Sequence, residues 1–381
     1  MADPLSLQQQ ADRAAAAGDP RRARALLEEL VRADPHQLEP WLKLASMCRA
    51  SGDLPAALTA VEGGLQVAPL DFTALLLRAT LLERAGRPDA GEAYVRAVAQ
   101  RPSGGVPPAM AAALAHAERQ DAAATVGRDQ RLADAAGAVD EAIAPRLDRF
   151  RANIVRRTRP YHSEPTHYAY PGLIEREFHD RADFPWLAEL EAATDTIRAE
   201  FQAVAQAERA ELVPYIQYAA HEPLAQWRPL NHSRDWTAIH LLQNGRSIAA
   251  NARFCPETLA LLARLPQPDV AGCSPNAMFS LLAPETSIPP HTGVANTRLV
   301  CHLPLIVPEG CWFRVGATTR HWRPGEAFVF DDTIEHEAAN PSGELRVVLI
   351  FDVWHPQLSA AERAAAGAMM AADAGVEGQA L

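Results

Sequence analysis

A chain of 381 residues exceeds one ordinary domain and suits two, each with a core of its own. Its formal net charge of -11, with no basic run interleaved with aromatics, argues against nucleic acid as a partner. Five scattered cysteines (Cys48, Cys255, Cys273, Cys301 and Cys311), odd in number and without a C-x-x-C pair, argue against a disulfide framework and fit reduced thiols in a cytoplasmic setting.

In chain order, Met1-Ala-Asp-Pro-Leu5 offers no basic segment followed by an apolar one, and no run of about 18 apolar residues occurs anywhere, so neither a cleaved signal nor a membrane span is expected. From Leu5 to about Pro102 the chain is rich in Ala, Leu, Arg and Glu, and it repeats. Gly18, Gly52 and Gly86 recur at a period of about 34 residues, the tetratricopeptide spacing. Ala23, Ala57 and Gly91 keep the same phase, as do Pro35 and Pro69, while Trp41, Leu44 and Ala45 open the middle repeat. The physical reading is a helical hairpin in which glycine permits the turn, a small residue lets the helices approach, and proline ends the second helix. Two positions depart from the pattern: Arg78 stands where an apolar residue is usual, and Pro102 comes one residue early.

Three prolines and two glycines between Pro102 and Pro108 break the helical pattern, and Ala109 to about Arg157 then reads as helix again. Tyr161 to Gly172 is dense in Tyr, His and Pro, which suits an ordered loop lying over a pocket. From about Asn276 short apolar runs are broken by Pro, Gly and Asp. Strands are expected at Met278 to Leu282, Arg298 to Ile306, Trp312 to Val315, Ala327 to Phe330 and Leu345 to Val353. They suggest a double-sheet jelly roll. After His355 an Ala-rich helix should run into fraying residues from about Asp373. The expected class is therefore α+β in two domains: an all-α tetratricopeptide-type solenoid followed by a double-stranded β-helix of the jelly-roll or cupin kind. The boundaries are 1–104 for the repeats, 105–157 for a helical connecting segment, 158–358 for the jelly roll and 359–381 for a helical tail.

Two segments carry the candidate chemistry. His291-Thr-Gly-Val-Ala-Asn-Thr-Arg298 leads into a strand through His302, and Phe330-Asp-Asp-Thr-Ile-Glu-His336-Glu precedes Arg346-Val-Val-Leu-Ile. Two histidines from facing strands can bind iron(II) and leave neighbouring positions open for cosubstrate and oxygen. Arg346 offers a fork for a dicarboxylate. The usual triad needs a carboxylate two residues after the first histidine, where this chain has Gly293. Either water or another anion completes the metal shell, or there is no iron site. His336-Glu-Ala-Ala-Asn340 falls short of a helical zinc-protease motif, because Asn340 replaces the second histidine and Pro341 follows.

The stretch from Ser280 through His355 resembles the aspartyl/asparaginyl beta-hydroxylase family. It includes His-Thr-Gly, Leu-Pro-Leu-Ile-Val-Pro, Glu-Gly-Cys, Arg-Val-Gly, Phe-Asp-Asp-Thr-Ile-Glu-His-Glu and Asp-Val-Trp-His-Pro, with weaker similarity back to about Tyr161. The resemblance implies an iron(II)- and 2-oxoglutarate-dependent dioxygenase that uses O2 to hydroxylate an unactivated C–H bond. It also implies the roles of individual residues. His291 and His336 would ligate iron, with solvent in place of a carboxylate at Gly293. Ser280 and Arg346 would hold the distal carboxylate of 2-oxoglutarate, and His302 would contact its metal-proximal end. Arg298 would lie near a substrate carboxylate, and Asp332 would orient iron-bound water. Val300 departs from the vertebrate pattern, which has a further arginine there. The implied substrate is Asp or Asn in a peptide or protein, presented by the repeats. A small molecule or acyl chain is the alternative, since the family includes lipid A hydroxylases, and a non-catalytic repeat scaffold is a third reading.

Overall fold

The computed structural model describes residues 4–207, 211–219, 221 and 225–377. The chain divides into two compact units, Met1–Thr158 and Arg159–Leu381.

The first unit opens with three helical hairpins: α1 (Pro4–Ala16) with α2 (Pro20–Ala33), α3 (Leu38–Ala50) with α4 (Leu54–Val67), and α5 (Phe72–Arg84) with α6 (Ala90–Val98). Gly18, Gly52 and Gly86 make the turns inside the hairpins at φ of 74°, 79° and 63°, a left-handed conformation that a side chain resists. Asp19 and Asp53 then cap α2 and α4 by accepting the backbone N–H of Arg22 and Ala56. Ala23 and Ala57 have no exposed surface, as close helix approach requires. Arg78 reaches Glu62 at 3.8 Å and stays partly exposed, so its position needs no apolar side chain. Beyond the 102–108 break lie α7 (Pro108–Ala136) and α8 (Ala144–Ile154), separated at Gly137. Met110, Leu114 and Ala117 of α7 pack with Tyr94, Ala97 and Phe72, extending the repeat core by one helix.

The second unit holds α9 (Leu187–Ala192), α10 (Thr194–Ala205), β1 (Leu212–Pro214), β2 (Trp236–Gln243), β3 (Arg246–Ser247), α11 (Ala249–Ala252) and α12 (Pro256–Leu262). There follow β4 (Ala277–Leu282), β5 (Thr286–His291), β6 (Arg298–Ile306), β7 (Trp312–Val315), β8 (Thr318–His321), β9 (Phe328–Phe330), β10 (His336–Asn340), β11 (Arg346–Trp354) and α13 (Ala360–Glu377). The larger antiparallel sheet runs β1-β2-β4-β11-β6-β9, with β3 beside β2, and the smaller runs β5-β10-β7-β8. Trp236, Leu282, Val348 and Phe330 from the larger sheet meet Ile288, Phe313, Val315 and Ala338 from the smaller in one core. On the other face of the larger sheet, Phe184, Leu190, Ile197, Phe201 and Leu262 cover Phe279, Leu299, Leu303, Leu349 and Phe351. Burial on both faces is why β6 and β11 read as nearly unbroken apolar runs.

The period of two sorts the side chains of these strands. In β11, Val347, Leu349, Phe351 and Val353 face the helices, which leaves Arg346, Val348, Ile350 and Asp352 facing the smaller sheet. In β6, Leu299, Cys301 and Leu303 face the helices and leave Arg298, Val300 and His302 inward. The five expected strands are present, with one-residue differences at the ends of β4, β9 and β11. The expected fraying from about Asp373 gives way to helix through Glu377, and residues 378–381 lie outside the described part. Among the described residues, no helix is long and apolar enough to cross a membrane.

Candidate active site

His291 ends β5 and His336 begins β10, and the antiparallel register sets them directly opposite one another. They are cross-strand neighbours in one sheet, not residues of facing strands as the sequence suggested. Their proximity follows from ladder spacing, which brings directly opposed Cβ atoms to about 5 Å. The ring centroids are 4.0 Å apart. Each ring is fixed through Nδ1: that of His291 donates to the Pro289 carbonyl at 2.8 Å, and that of His336 to the Ile334 carbonyl at 3.1 Å. A carbonyl only accepts, so Nδ1 carries the hydrogen and Nε2 keeps its lone pair. Burial, reinforced by the neighbouring His336, pushes His291 down to about 3, and burial pushes His336 down to about 4. Both rings are neutral at neutral pH, the form in which imidazole binds metal.

Gly293 holds an unexpected place in this geometry. A Cβ there would stand 2.8 Å from Asp332 Oδ1 and would overlap Oδ2 and Cγ outright, so the Asp332 carboxylate fills the space a side chain at 293 would need. The backbone N–H of Gly293 donates to the Asp332 carbonyl at 2.7 Å and locks the two turns together. Asp332 Oδ2 accepts from Arg298 at 3.0 Å, a pair with each side chain only 10% exposed. Burial works against the Arg298 charge, but Asp332 and Asp352 outweigh it and hold the guanidinium above its ordinary value. Asp332 Oδ1 is buried and has no protein donor. An orphaned acceptor of this kind fits a water held on a metal.

Arg346, Ser280 and His302 give the same cavity a place for an anion. Arg346 is 2% exposed, and no acidic side chain among the described residues pairs with it. Burial draws its guanidinium down to about 10, Trp322 lies 5.0 Å from it, and its Nε has no partner. Ser280 Oγ accepts from Trp236 Nε1 at 3.1 Å and from Arg346 at 3.3 Å, which leaves the serine hydrogen to donate elsewhere. His302 accepts from Trp322 Nε1 on its Nδ1 at 3.4 Å, so its Nε2 carries the hydrogen. Burial, with Arg346 nearby, pushes His302 well below its ordinary value and keeps it neutral.

All seven residues singled out from the sequence (Ser280, His291, Arg298, His302, Asp332, His336 and Arg346) line one cavity of about 310 Å³. Val300, on the same face of β6 as Arg298 and His302, lines it too. The sequence leads us to expect Tyr- and Trp-rich loops between Tyr161 and Trp236 over the site; Tyr215, Trp227 and Trp236 of that span wall the cavity, as does Trp322, which was not expected there. Trp236 stacks on Tyr215 at 3.8 Å and 8°, and Trp227 meets His291 edge-on at 5.0 Å. Trp236 sits in strand β2, not in a loop. An outer vestibule of about 1040 Å³ shares His291, Thr292, Val294, Tyr218 and Trp227 with the cavity and adds polar walls from Gln217 and Gln226. Among the described residues, no group of three or more His, Cys, Asp or Glu side chains is placed to hold a metal. A metal held by His291 and His336 would take its other ligands from solution. The five cysteines are buried and free.

Residues 191–356 match the family model described as aspartyl/asparaginyl beta-hydroxylase, and residues 9–66 and 49–105 match the tetratricopeptide repeat model. The ornithine lipid ester-linked acyl 2-hydroxylase of Rhizobium tropici is 34% identical over 202 residues, 52% of this chain and 68% of that protein. The mouse aspartyl/asparaginyl beta-hydroxylase is 38% identical over 136 residues, 35% of this chain and 18% of that protein. Human aspartate beta-hydroxylase domain-containing protein 2 is 38% identical over 136 residues, 35% of this chain and 37% of that protein. The chain thus spans under a fifth of the mouse hydroxylase and over a third of the human protein.

Proposed function

The chain belongs to the aspartyl/asparaginyl beta-hydroxylase family, and we propose on that premise that it is an iron(II)- and 2-oxoglutarate-dependent dioxygenase. The observation that carries the reading is the pair of neutral, carbonyl-anchored imidazoles with their rings 4.0 Å apart, facing a buried guanidinium that lacks an acid. Bound iron, O2 and 2-oxoglutarate would together supply the oxidising power that puts a hydroxyl on an unactivated C–H bond, leaving succinate and carbon dioxide.

The chain's own residues supply placement. His291 and His336 would hold the metal through Nε2, with Asp332 placed to accept a hydrogen bond from solvent beside it. Arg346 and the Ser280 hydroxyl bind the distal carboxylate of 2-oxoglutarate, and the His302 N–H steadies its metal-proximal end. Arg298, already paired with Asp332, presents its remaining N–H groups toward an acidic or amide substrate group. Tyr215, Trp227, Trp236 and Trp322 restrict water around the reacting centre.

The substrate reading favoured here is the β-carbon of Asp or Asn in a peptide or protein, since the vestibule is walled by amide, phenol and imidazole groups able to bond a polypeptide. The repeats would contribute a protein-binding surface. Hydroxylation of an acyl chain or small molecule is the second reading, supported by the 68% coverage of the ornithine lipid hydroxylase. Five free thiols suit the cytoplasm.

Anaerobic iron(II) and 2-oxoglutarate should produce a weak visible charge-transfer band that His336→Ala abolishes. With oxygen, peptide and lipid panels should yield a product heavier by one oxygen atom. Absence of both the band and succinate from the wild-type protein would leave the repeat scaffold as the better description.

A further inference from the structure

The two histidines sit where the smaller sheet gives out. β5 is its edge strand, and the β5–β10 register shifts between His336 and Ala338, so the histidine pair stands beyond a bulge. Past this pair the chain leaves the sheet on both sides, into 292–297 and 331–335. Sheet pairing alone holds such an edge weakly.

A third segment crosses both loops. Glu164 N–H donates to the Thr333 carbonyl at 2.8 Å, Thr166 N–H to Gly293 at 2.9 Å, and Tyr168 N–H to Val294 at 2.9 Å. Asn296 takes the Tyr170 N–H on its side chain at 2.7 Å and returns a bond to the Tyr170 carbonyl at 2.9 Å. The far end is fastened to α13, where Tyr168 and Tyr170 donate to Asp373 and Glu362, each at 3.0 Å. On the His336 side, Thr333 spends its hydroxyl hydrogen on Asp331, so the 2.6 Å contact between Ser163 and Thr333 has Ser163 as donor. That turn presents the Ile334 carbonyl that orients His336 and the Asp332 carboxylate that fills the space beside Gly293.

We infer that residues 163–170 form a strap that holds the two histidine loops in register, and that Ser163 is a positioning residue, acting on His336 and Asp332 through Thr333. The inference rests on the metal reading above only for its second readout. The outer face of the strap, at Glu164, Thr166 and His167, lines the vestibule, so an occupant there bears on the same element that sets the histidine pair.

The test uses the full chain with Ser163→Ala and Ser163→Thr. In the metal-free protein, S163A should speed amide exchange at 292–297 and 331–335 at least about threefold while leaving β4 and β11 unchanged, as loss of one hydrogen bond allows. Cobalt(II), used as the probe, should bind S163A about three- to tenfold more weakly. S163T, which keeps the hydroxyl, should restore both. Unchanged exchange in both loops overturns the strap. Faster exchange with undiminished cobalt binding overturns the positioning role. A wild-type protein that binds no cobalt counts against the metal reading instead, and exchange alone then judges the strap. Thr333→Val removes the same bond from its other end together with the Thr333–Asp331 bond, so should S163A not fold it is expected to raise exchange in both loops by at least as much.

Discussion

Gly293→Ala adds one methyl group at a position whose backbone an alanine can adopt, since its φ lies outside the left-handed range. The cost must therefore come from space. The new Cβ would overlap Asp332 Oδ2 and Cγ, where ordinary contact is about 3.5 Å, so the carboxylate must swing away. Doing so breaks the Arg298–Asp332 bond and leaves a buried guanidinium without its partner. Removing one side of a buried pair costs about 3–5 kcal/mol, and partial rotation lowers this to about 2–4 kcal/mol here. For a unit of this size that is a fall of about 5–15 °C in the melting temperature. Six of the seven tryptophans lie in the second unit, so intrinsic fluorescence reports it selectively. The decisive form is a double-mutant cycle with Asp332→Ala, in which the overlap disappears. G293A should then cost under about 1 kcal/mol, for a coupling of at least about 1 kcal/mol. Additive losses, or a G293A protein as stable as wild type, would refute the steric account. The same overlap means that Gly293→Asp should not create a working three-ligand site unless Asp332 is shortened with it.

Arg346→Met should leave the metal-free protein as stable as wild type or more so, because it removes a buried cation that has no acid to offset its desolvation. It should also weaken 2-oxoglutarate binding at least about 100-fold, checked by calorimetry alongside a thermal melt. Ser280→Ala should weaken the same binding about tenfold by removing one donor to a charged oxygen, and should cost about 1–3 kcal/mol of stability because the buried Trp236 N–H loses its acceptor. Acid should destabilise the second unit through His179, which burial beside His355 pushes down to about 3. Between about pH 6.5 and 3 the unfolded chain binds the proton and the folded chain does not, so stability falls with falling pH. His179→Phe should flatten the slope by about 1.4 kcal/mol per pH unit, measured by urea titration at several pH values. In the repeats, Gly52→Ala should cost about 1–2 kcal/mol because φ there is 79°, whereas Gly52→Asn should cost less; far-UV circular dichroism melts compare them.

What the sequence disclosed and what it hid follow from the range of the forces involved. Gly18, Gly52 and Gly86 announce the repeats because each acts within its own turn. β6 and β11 were legible as apolar runs, which placed Arg298, His302 and Arg346 on strands that turned out to be neighbours, while the roles of Arg298 and His302 came only from the family resemblance. The strands bearing the histidines were expected without bounds. β5 (Thr-Ser-Ile-Pro-Pro-His) carries two prolines, tolerable because it is an edge strand, and β10 (His-Glu-Ala-Ala-Asn) lacks β-branched residues. Gly293 looked like a missing ligand. Only the fold reveals that Asp332, 39 positions later, needs the space. Trp236 and Trp322 could not be chosen from their neighbours in sequence either, because their partners, Ser280 and His302, lie on other strands.

Anomalous diffraction at the iron edge, from crystals loaded anaerobically with iron(II), bears most directly on whether this pair of imidazoles makes a metal centre. One peak bonded to Nε2 of both His291 and His336, with Asp332 reaching it only through water, is the expected result. A peak elsewhere, or a direct bond from any protein carboxylate, would contradict it.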